Sequence, residues 1–274
     1  MEARYDTGGG DRLARSAVNV LVVGSSGAAE PERRSSAYLI GDSLAIDAGS
    51  LASGLSLERA RRIRTVLLTH SHFDHIRELP LFLDNVYRPK GPPVEVGLAT
   101  PTREALLDHI FNGRIWPDVR CFAPPGMELF EVKPGRELVC EGFRILPIRL
   151  RHTVPTVGYI LRRARKSASA AAILGDTGYS EGIFTKLAAV RGLDFLLIET
   201  SYPNRLPKLA ETALHLTPDL LSAGLAIVRK AHTRLRVVVT HFKPGLTKEI
   251  ERELRRIRPA VSIARDGETY PLFR

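Results

Sequence analysis

A chain of 274 residues with 44% hydrophobic content is long enough to bury one substantial core. No apolar run approaches the roughly 18 to 20 residues that span a bilayer, and Met1-Glu2-Ala3-Arg4-Tyr5-Asp6 lacks the basic-then-apolar plan of a secretory leader. A membrane partner is thereby excluded from the expectations and a cytoplasmic protein is read, while the net charge of +10 favours ligands that carry phosphate.

Residues 1–16, with Thr7-Gly8-Gly9-Gly10-Asp11, read as a flexible polar tail, and residues 17–274 as a single domain. Residues 19–23, 37–40 and 44–47 are short apolar runs split by Gly, Ser and Asp, the pattern of an antiparallel meander. A fourth buried strand over 65–69 ends directly at His70. Apolar residues recur at three and four over 101–111, 180–190, 218–231 and 247–257, which predicts helices. Further strands are predicted over 142–150, 157–161, 170–174, 194–198 and 236–239. Ser35-Ser36 and Ser167-Ala168-Ser169 read as hairpin loops, and the run Arg162-Arg163-Ala164-Arg165-Lys166 as a solvated turn. Strands clustered in both halves with helices between them predict two sheets packed face to face, helices outside. Cys121 and Cys140 form no CxxC pair, so neither a disulfide framework nor a thiolate metal site is expected, only buried thiols or a neutral surface pair.

The chemistry concentrates in His70-Ser71-His72-Phe73-Asp74-His75. His70 and His72 stand at i and i+2 after a strand, so an extended backbone points both rings to one side. A turn into helix at Asp74 would carry its carboxylate and His75 one step further, where a second ion could lie about 3.5 to 4 Å from the first. Three imidazoles and a carboxylate suit zinc, with manganese or iron as alternatives, rather than calcium or magnesium. His152, Asp176 and His241 each follow an apolar strand and are candidates to complete two ligand shells. His109 and His232 lie in helical spacing without a partner motif and read as surface or packing residues. Phe111 and Trp116 read as core.

The box Thr69-His70-Ser71-His72-Phe73-Asp74-His75, with Asp47 before it and His152, Asp176 and His241 after it, resembles the metallo-β-lactamase superfamily across nearly the whole chain. Within it, Ile46-Asp47-Ala48-Gly49-Ser50-Leu51, His109-Ile110-Phe111-Asn112-Gly113-Arg114-Ile115-Trp116-Pro117, Gly175-Asp176-Thr177-Gly178, Ile198-Glu199-Thr200-Ser201-Tyr202 and Leu214-His215-Leu216-Thr217-Pro218 resemble the class II cyclic nucleotide phosphodiesterases. The resemblance implies an α/β fold of αββα layers, the four-layer metallo-β-lactamase sandwich. It implies two divalent ions, one on His70, His72 and His152, the other on Asp74, His75 and His241, with Asp176 bridging. Asp47 would stand behind a ligating imidazole and fix its orientation. Family members usually continue after the box with a Gly-Leu pair, whereas Ile76-Arg77-Glu78-Leu79-Pro80 here sets an Arg and a Glu beside the expected pocket.

The implied reaction is hydrolysis of a 3′,5′-cyclic nucleotide, cyclic AMP, to a 5′-nucleotide by a hydroxide held between the ions, whose charge brings the pKa of water toward about 7. Asp74 belongs to the reacting groups as well as to the ligands. His215 is the candidate acid for the leaving alkoxide, with Glu199 as the carboxylate that keeps it protonated, as in the related tRNA 3′-processing endonucleases. Two other readings share the motifs: a tRNA 3′-end endonuclease with RNA as partner, and a non-catalytic nucleotide-binding member of the same fold. A homodimer is left open.

Overall fold

The computed structural model describes residues 18–122, 125–164 and 168–273. The expected tail over 1–16, Ser167 of the second serine loop, and Arg165 and Lys166 of the basic run lie outside them. The first sheet contains β1 (Asn19–Gly24), β2 (Ala37–Ile40), β3 (Leu44–Ile46), β4 (Thr65–Leu67), β5 (Val94–Leu98), β6 (Met127–Glu131) and, from the far end of the chain, β14 (Thr269–Pro271). Its order is β14-β1-β2-β3-β4-β5-β6. The second sheet, β13-β12-β11-β10-β9-β8-β7, is made from β7 (Leu138–Cys140), β8 (Phe143–Leu150), β9 (Thr156–Arg163), β10 (Ala170–Ile173), β11 (Leu193–Glu199), β12 (Arg236–Thr240) and β13 (Ser262–Ile263). The helices are α1 (Leu57–Ala60), α2 (Phe73–Ile76), α3 (Leu79–Val86), α4 (Thr100–His109), α5 (Glu181–Ala188), α6 (Pro207–Ala213), α7 (Pro218–Ala231) and α8 (Thr247–Leu254).

Strand alternation builds the layers. In β11, Phe195 and Leu197 face the inter-sheet core, which also takes Val22, Tyr38, Ile46 and Leu67 from the first sheet. Leu193, Leu196 and Ile198 of the same strand face outward and are covered by Phe184 and Leu187 of α5 and Leu221, Leu225 and Val228 of α7. On the first sheet, Val66 and Val96 face outward against Phe82 of α3 and Leu106 of α4. Each sheet is therefore apolar on both faces, which a parallel sheet requires, and the molecule is an αββα sandwich. Phe195 is fully buried between the sheets, and its truncation to Ala would cost about 3 to 5 kcal/mol.

The expected meander holds for β1, β2 and β3, which pair antiparallel. β4 departs from it and runs parallel to β3, because α1 lies in the connection and parallel neighbours need a crossover. β5 and β6 continue in parallel, and β10, β11 and β12 form the matching parallel set in the other sheet. The carboxyl ends of β3, β4, β8, β10, β11 and β12 deliver Asp47, His70, His152, Asp176, Glu199 and His241. Ser35 and Ser36 are not a hairpin tip: both are buried, and Ser35 bridges Ser26. Of the cysteines, Cys140 is buried and Cys121 exposed, so neither form of a matched pair is realised. Among the described residues no helix is long and apolar enough to cross a membrane.

Candidate metal centre

Beyond β4 the backbone stays extended through His72, which caps α2 with φ −62° and ψ 145° and makes no side-chain cap bond. That leaves the imidazoles of His70 and His72 on one side, while Asp74 sits in the first turn of α2, where the helix dipole favours a carboxylate. Three groups result: His70, His72, His152 and Asp176; Asp74, His75 and His241; and Asp176, His215 and His241, the ligand atoms in each lying within 4.8 Å of one another. His152 Nε2 is 3.1 Å from His72 Nδ1, and His75 Nε2 is 3.1 Å from His241 Nε2. Asp176 stands between the first two groups, with Oδ2 3.8 Å from both His70 and His152 and Oδ1 3.4 Å from His75 and 3.2 Å from His241.

The nitrogens facing away from this cluster show which ones carry protons. Thr69 donates its hydroxyl to Asp47 at 2.9 Å, so its oxygen is free to accept Nδ1–H of His70 at 2.9 Å. His75 donates Nδ1–H to Asp47 at 2.7 Å, and His152 donates Nδ1–H to the Leu214 carbonyl at 3.0 Å. Ser201 donates to Glu199 at 2.7 Å and so accepts Nδ1–H of His241 at 2.9 Å. Each of these four rings is thus held with the Nε2 lone pair turned into the cluster, the tautomer that ligates a cation. His70 Nε2 is buried without a hydrogen-bond partner among the described residues, an orphan of the kind a metal relieves. Zinc–nitrogen bonds of about 2.0 to 2.1 Å at tetrahedral angles put neighbouring donor atoms roughly 3.3 Å apart, close to the 3.1 Å nitrogen pairs. The residues present therefore fit two divalent cations.

Electrostatics separates the two groups. Burial lowers His70 well below its ordinary value, with His75 adding to the effect, and burial together with His152 brings His72 down to about 4. Burial also lowers His152. For His75 burial is outweighed by the charges of Asp176 and Asp47, and its pKa rises well above the ordinary value. Burial would raise Asp176, but the neighbouring His241 and His75 hold it well below the carboxylate range. In Asp74 burial is likewise overcome, by the neighbouring His241 and His75. For His215 burial is overcome by Glu199, whose Oε1 accepts Nδ1–H at 2.6 Å, and the pKa rises.

All seven ligand candidates from the sequence meet here, and Asp47, Glu199 and His215 stand immediately around them. Residues whose place only the fold reveals are Thr69, Ser201, Lys243, with Nζ 3.8 Å from Asp74 Oδ2, and Gly27. A Cβ on Gly27 would come within 2.6 Å of His241 Cε1, so the close approach of that loop requires glycine. Asp47 and His241 hold positive φ of 59° and 68°, strained backbone where their side chains turn inward. Glu78 does not line the centre as its sequence position suggested. It is buried and accepts the Ala52 and Ser53 amides at 3.0 and 2.8 Å, tying α3 to the 51–54 turn. His109 is exposed, His232 bonds the Ala188 carbonyl, and Phe111 and Trp116 belong to the core outside the first sheet.

An αββα sandwich whose strand ends hold two His/Asp groups joined through one carboxylate is a metallo-β-lactamase-fold hydrolase. Residues 46–242 match the model of the beta-lactamase superfamily domain, and the chain belongs to that family. Ribonuclease Z of Methanopyrus kandleri is 27% identical over 281 aligned residues, spanning 89% of this chain and 94% of that protein. The 3′,5′-cyclic-nucleotide phosphodiesterase 1 of Saccharomyces cerevisiae is 26% identical over 244 residues, spanning 74% of this chain and 65% of that protein. Unliganded yeast PDE1 shares the fold with a TM-score of 0.80 at 20% identity, over 94% of this chain and 99% of that one.

Proposed function

We propose that residues 17–274 act as one cytoplasmic phosphodiesterase domain that hydrolyses a nucleotide phosphodiester at this cluster. The supporting observation is that Asp176 stands between the two ligand groups, its Oδ2 3.8 Å from His70 and His152 and its Oδ1 3.4 and 3.2 Å from His75 and His241, an arrangement suited to holding both the attacked and the departing side of a phosphodiester. His70, His72 and His152 would hold one ion, Asp74, His75 and His241 the other, with Asp176 between them. The donor set fits zinc best. When bound, two such ions supply Lewis acidity and an acidified water.

The protein's own groups supply the rest. His215 is the acid for the leaving oxygen: Glu199 fixes its Nδ1–H and favours the protonated ring, leaving Nε2–H to donate. Lys243, held at 2.8 Å by the Gly27 carbonyl, sets a positive charge beside Asp74 at the rim, where it attracts a substrate phosphate. Ser201 ties this machinery together, since its hydroxyl meets both Glu199 and His241.

The first substrate is a 3′,5′-cyclic nucleotide, in line with the yeast relative. A second reading, a linear RNA 3′ end, is favoured by the net charge of +10 and by the ribonuclease Z relative, which the chain covers almost completely. Hydrolysis of cyclic AMP and of a 3′-extended tRNA precursor, side by side with a chelator-treated control, separates them. Chelator-sensitive release of 5′-AMP establishes the first, and tRNA cleavage alone moves the chain to the second. His215→Ala should keep its metal and slow turnover about 10²- to 10⁴-fold for alkoxide leaving groups. An equal loss on nitrophenolate esters, which need no proton, would contradict the acid role.

A further inference from the structure

Beside the metal centre, and sharing His152 and Thr153 with it, lies a cavity of about 600 Å³, within the range of pockets that hold a small ligand. It is lined by the start of α4, by residues 131–134 at the end of β6 and by residues 149–157 around the end of β8, and its wall includes Pro101, Pro134 and Pro155, flat apolar surface of the kind a base or sugar can lie on. Three cations line it. Lys133 is engaged by Glu131 at 2.9 Å, and Arg151 donates to the Tyr179 carbonyl at 3.2 Å. Arg149 is exposed and has no hydrogen-bond or ion-pair partner among the described residues. Its position follows from strand alternation: Leu150 turns to the helix-covered face of the second sheet, so Arg149 turns to the opposite face, toward the gap between the sheets.

The opposite wall is also electropositive. The amino end of α4, Thr100 and Pro101, opens on the cavity, with no acidic residue in its first turn and no side-chain cap bond. Its dipole acts in the same sense as Arg149. The one acid in the lining, Glu131, is paired with Lys133 at 2.9 Å and accepts the Thr100 hydroxyl at 2.8 Å. Thr153 connects the two sites, its Oγ1 3.4 Å from His72 Nε2.

We propose that this cavity is a subsite for the nucleotide next to the scissile phosphodiester, with Arg149 holding its phosphate. The inference rests on the phosphodiesterase reading and deepens it. A 3′,5′-cyclic nucleotide has one phosphate, which the metal centre would engage, so the subsite selects linear oligonucleotides.

Two measurements on Arg149→Ala and Arg149→Lys test it. In metal-free protein, fluorescence anisotropy of a labelled short oligoribonucleotide should show binding weakened about tenfold by the Ala variant, and a log–log salt slope reduced by about 0.7, one phosphate contact on a single strand. The Lys variant should recover the slope. In metal-loaded protein, the Ala variant should raise KM for the oligonucleotide with kcat nearly unchanged, and leave bis(p-nitrophenyl) phosphate and cyclic AMP untouched. Unaltered oligonucleotide affinity and slope, or an equal loss on all three substrates, would overturn the subsite. Loss of binding with no hydrolysis of any diester by the wild type would uphold the subsite and refute the phosphodiesterase reading.

Discussion

The two halves of the metal centre are held in different ways. His75 and His241 are backed by charge: Asp47 accepts from one, and Ser201 relays Glu199 to the other. His72 and His152 are backed by neutral groups, the Thr153 hydroxyl at 3.4 Å and the Leu214 carbonyl at 3.0 Å. The centre is also unevenly covered: His70, His75 and His241 are enclosed, while His72 and Asp74 are only partly covered. A carboxylate behind an imidazole both fixes the ring and raises its basicity, so both rings of the Asp74 half are backed by remote acids, whereas in the His72 half only His70 is, through Thr69 to Asp47, and His72 and His152 depend on neutral groups.

That difference can be broken at graded strength. Asp176→Ala removes the group both halves share; metal analysis should find both ions lost and turnover below about one part in a thousand, as expected when the groups of a unit fail together. Asp47→Ala should weaken the ion on the Asp74 half about 10- to 100-fold and the ion on the His72 half, which Asp47 reaches only through Thr69 and His70, by less, as read by metal titration at fixed pH. Gly27→Ala would push on His241 and should mimic Asp47→Ala in metal content while costing about 1 to 3 kcal/mol of stability in urea unfolding. Ser201→Ala comes last. It leaves Glu199 bonded to His215 and should cut affinity at the Asp74 half only about tenfold; an equal loss at the His72 half would erase the asymmetry.

Much of this was legible in the sequence where the information is local. His70 to His75 lie within six residues, and a strand followed by a turn is enough to bring them together. His152, Asp176 and His241 were legible because each follows an apolar strand. The supporting hydroxyls of Thr69 and Ser201 were not, since threonine and serine are common and their role depends on partners such as Glu199 and His241 that only the fold brings near. The same limit explains the missed elements. α1 has four residues, too few to show a period, and the equally short α2 was legible only as the turn into helix at Asp74. β5 carries Glu95 and Gly97, and β6 two glutamates, so neither displays the apolar run of an interior strand. The stretch from His109 to Pro117 that narrowed the resemblance packs Phe111 and Trp116 into the core outside the first sheet, so these aromatic residues serve packing.

The most direct test of the two-ion account is a titration of metal-depleted protein with zinc, following bound metal and hydrolysis of bis(p-nitrophenyl) phosphate together. The account predicts two ions per chain, with hydrolysis appearing only as the second is bound. Full hydrolysis with one ion, or hydrolysis that survives complete metal removal, would contradict it.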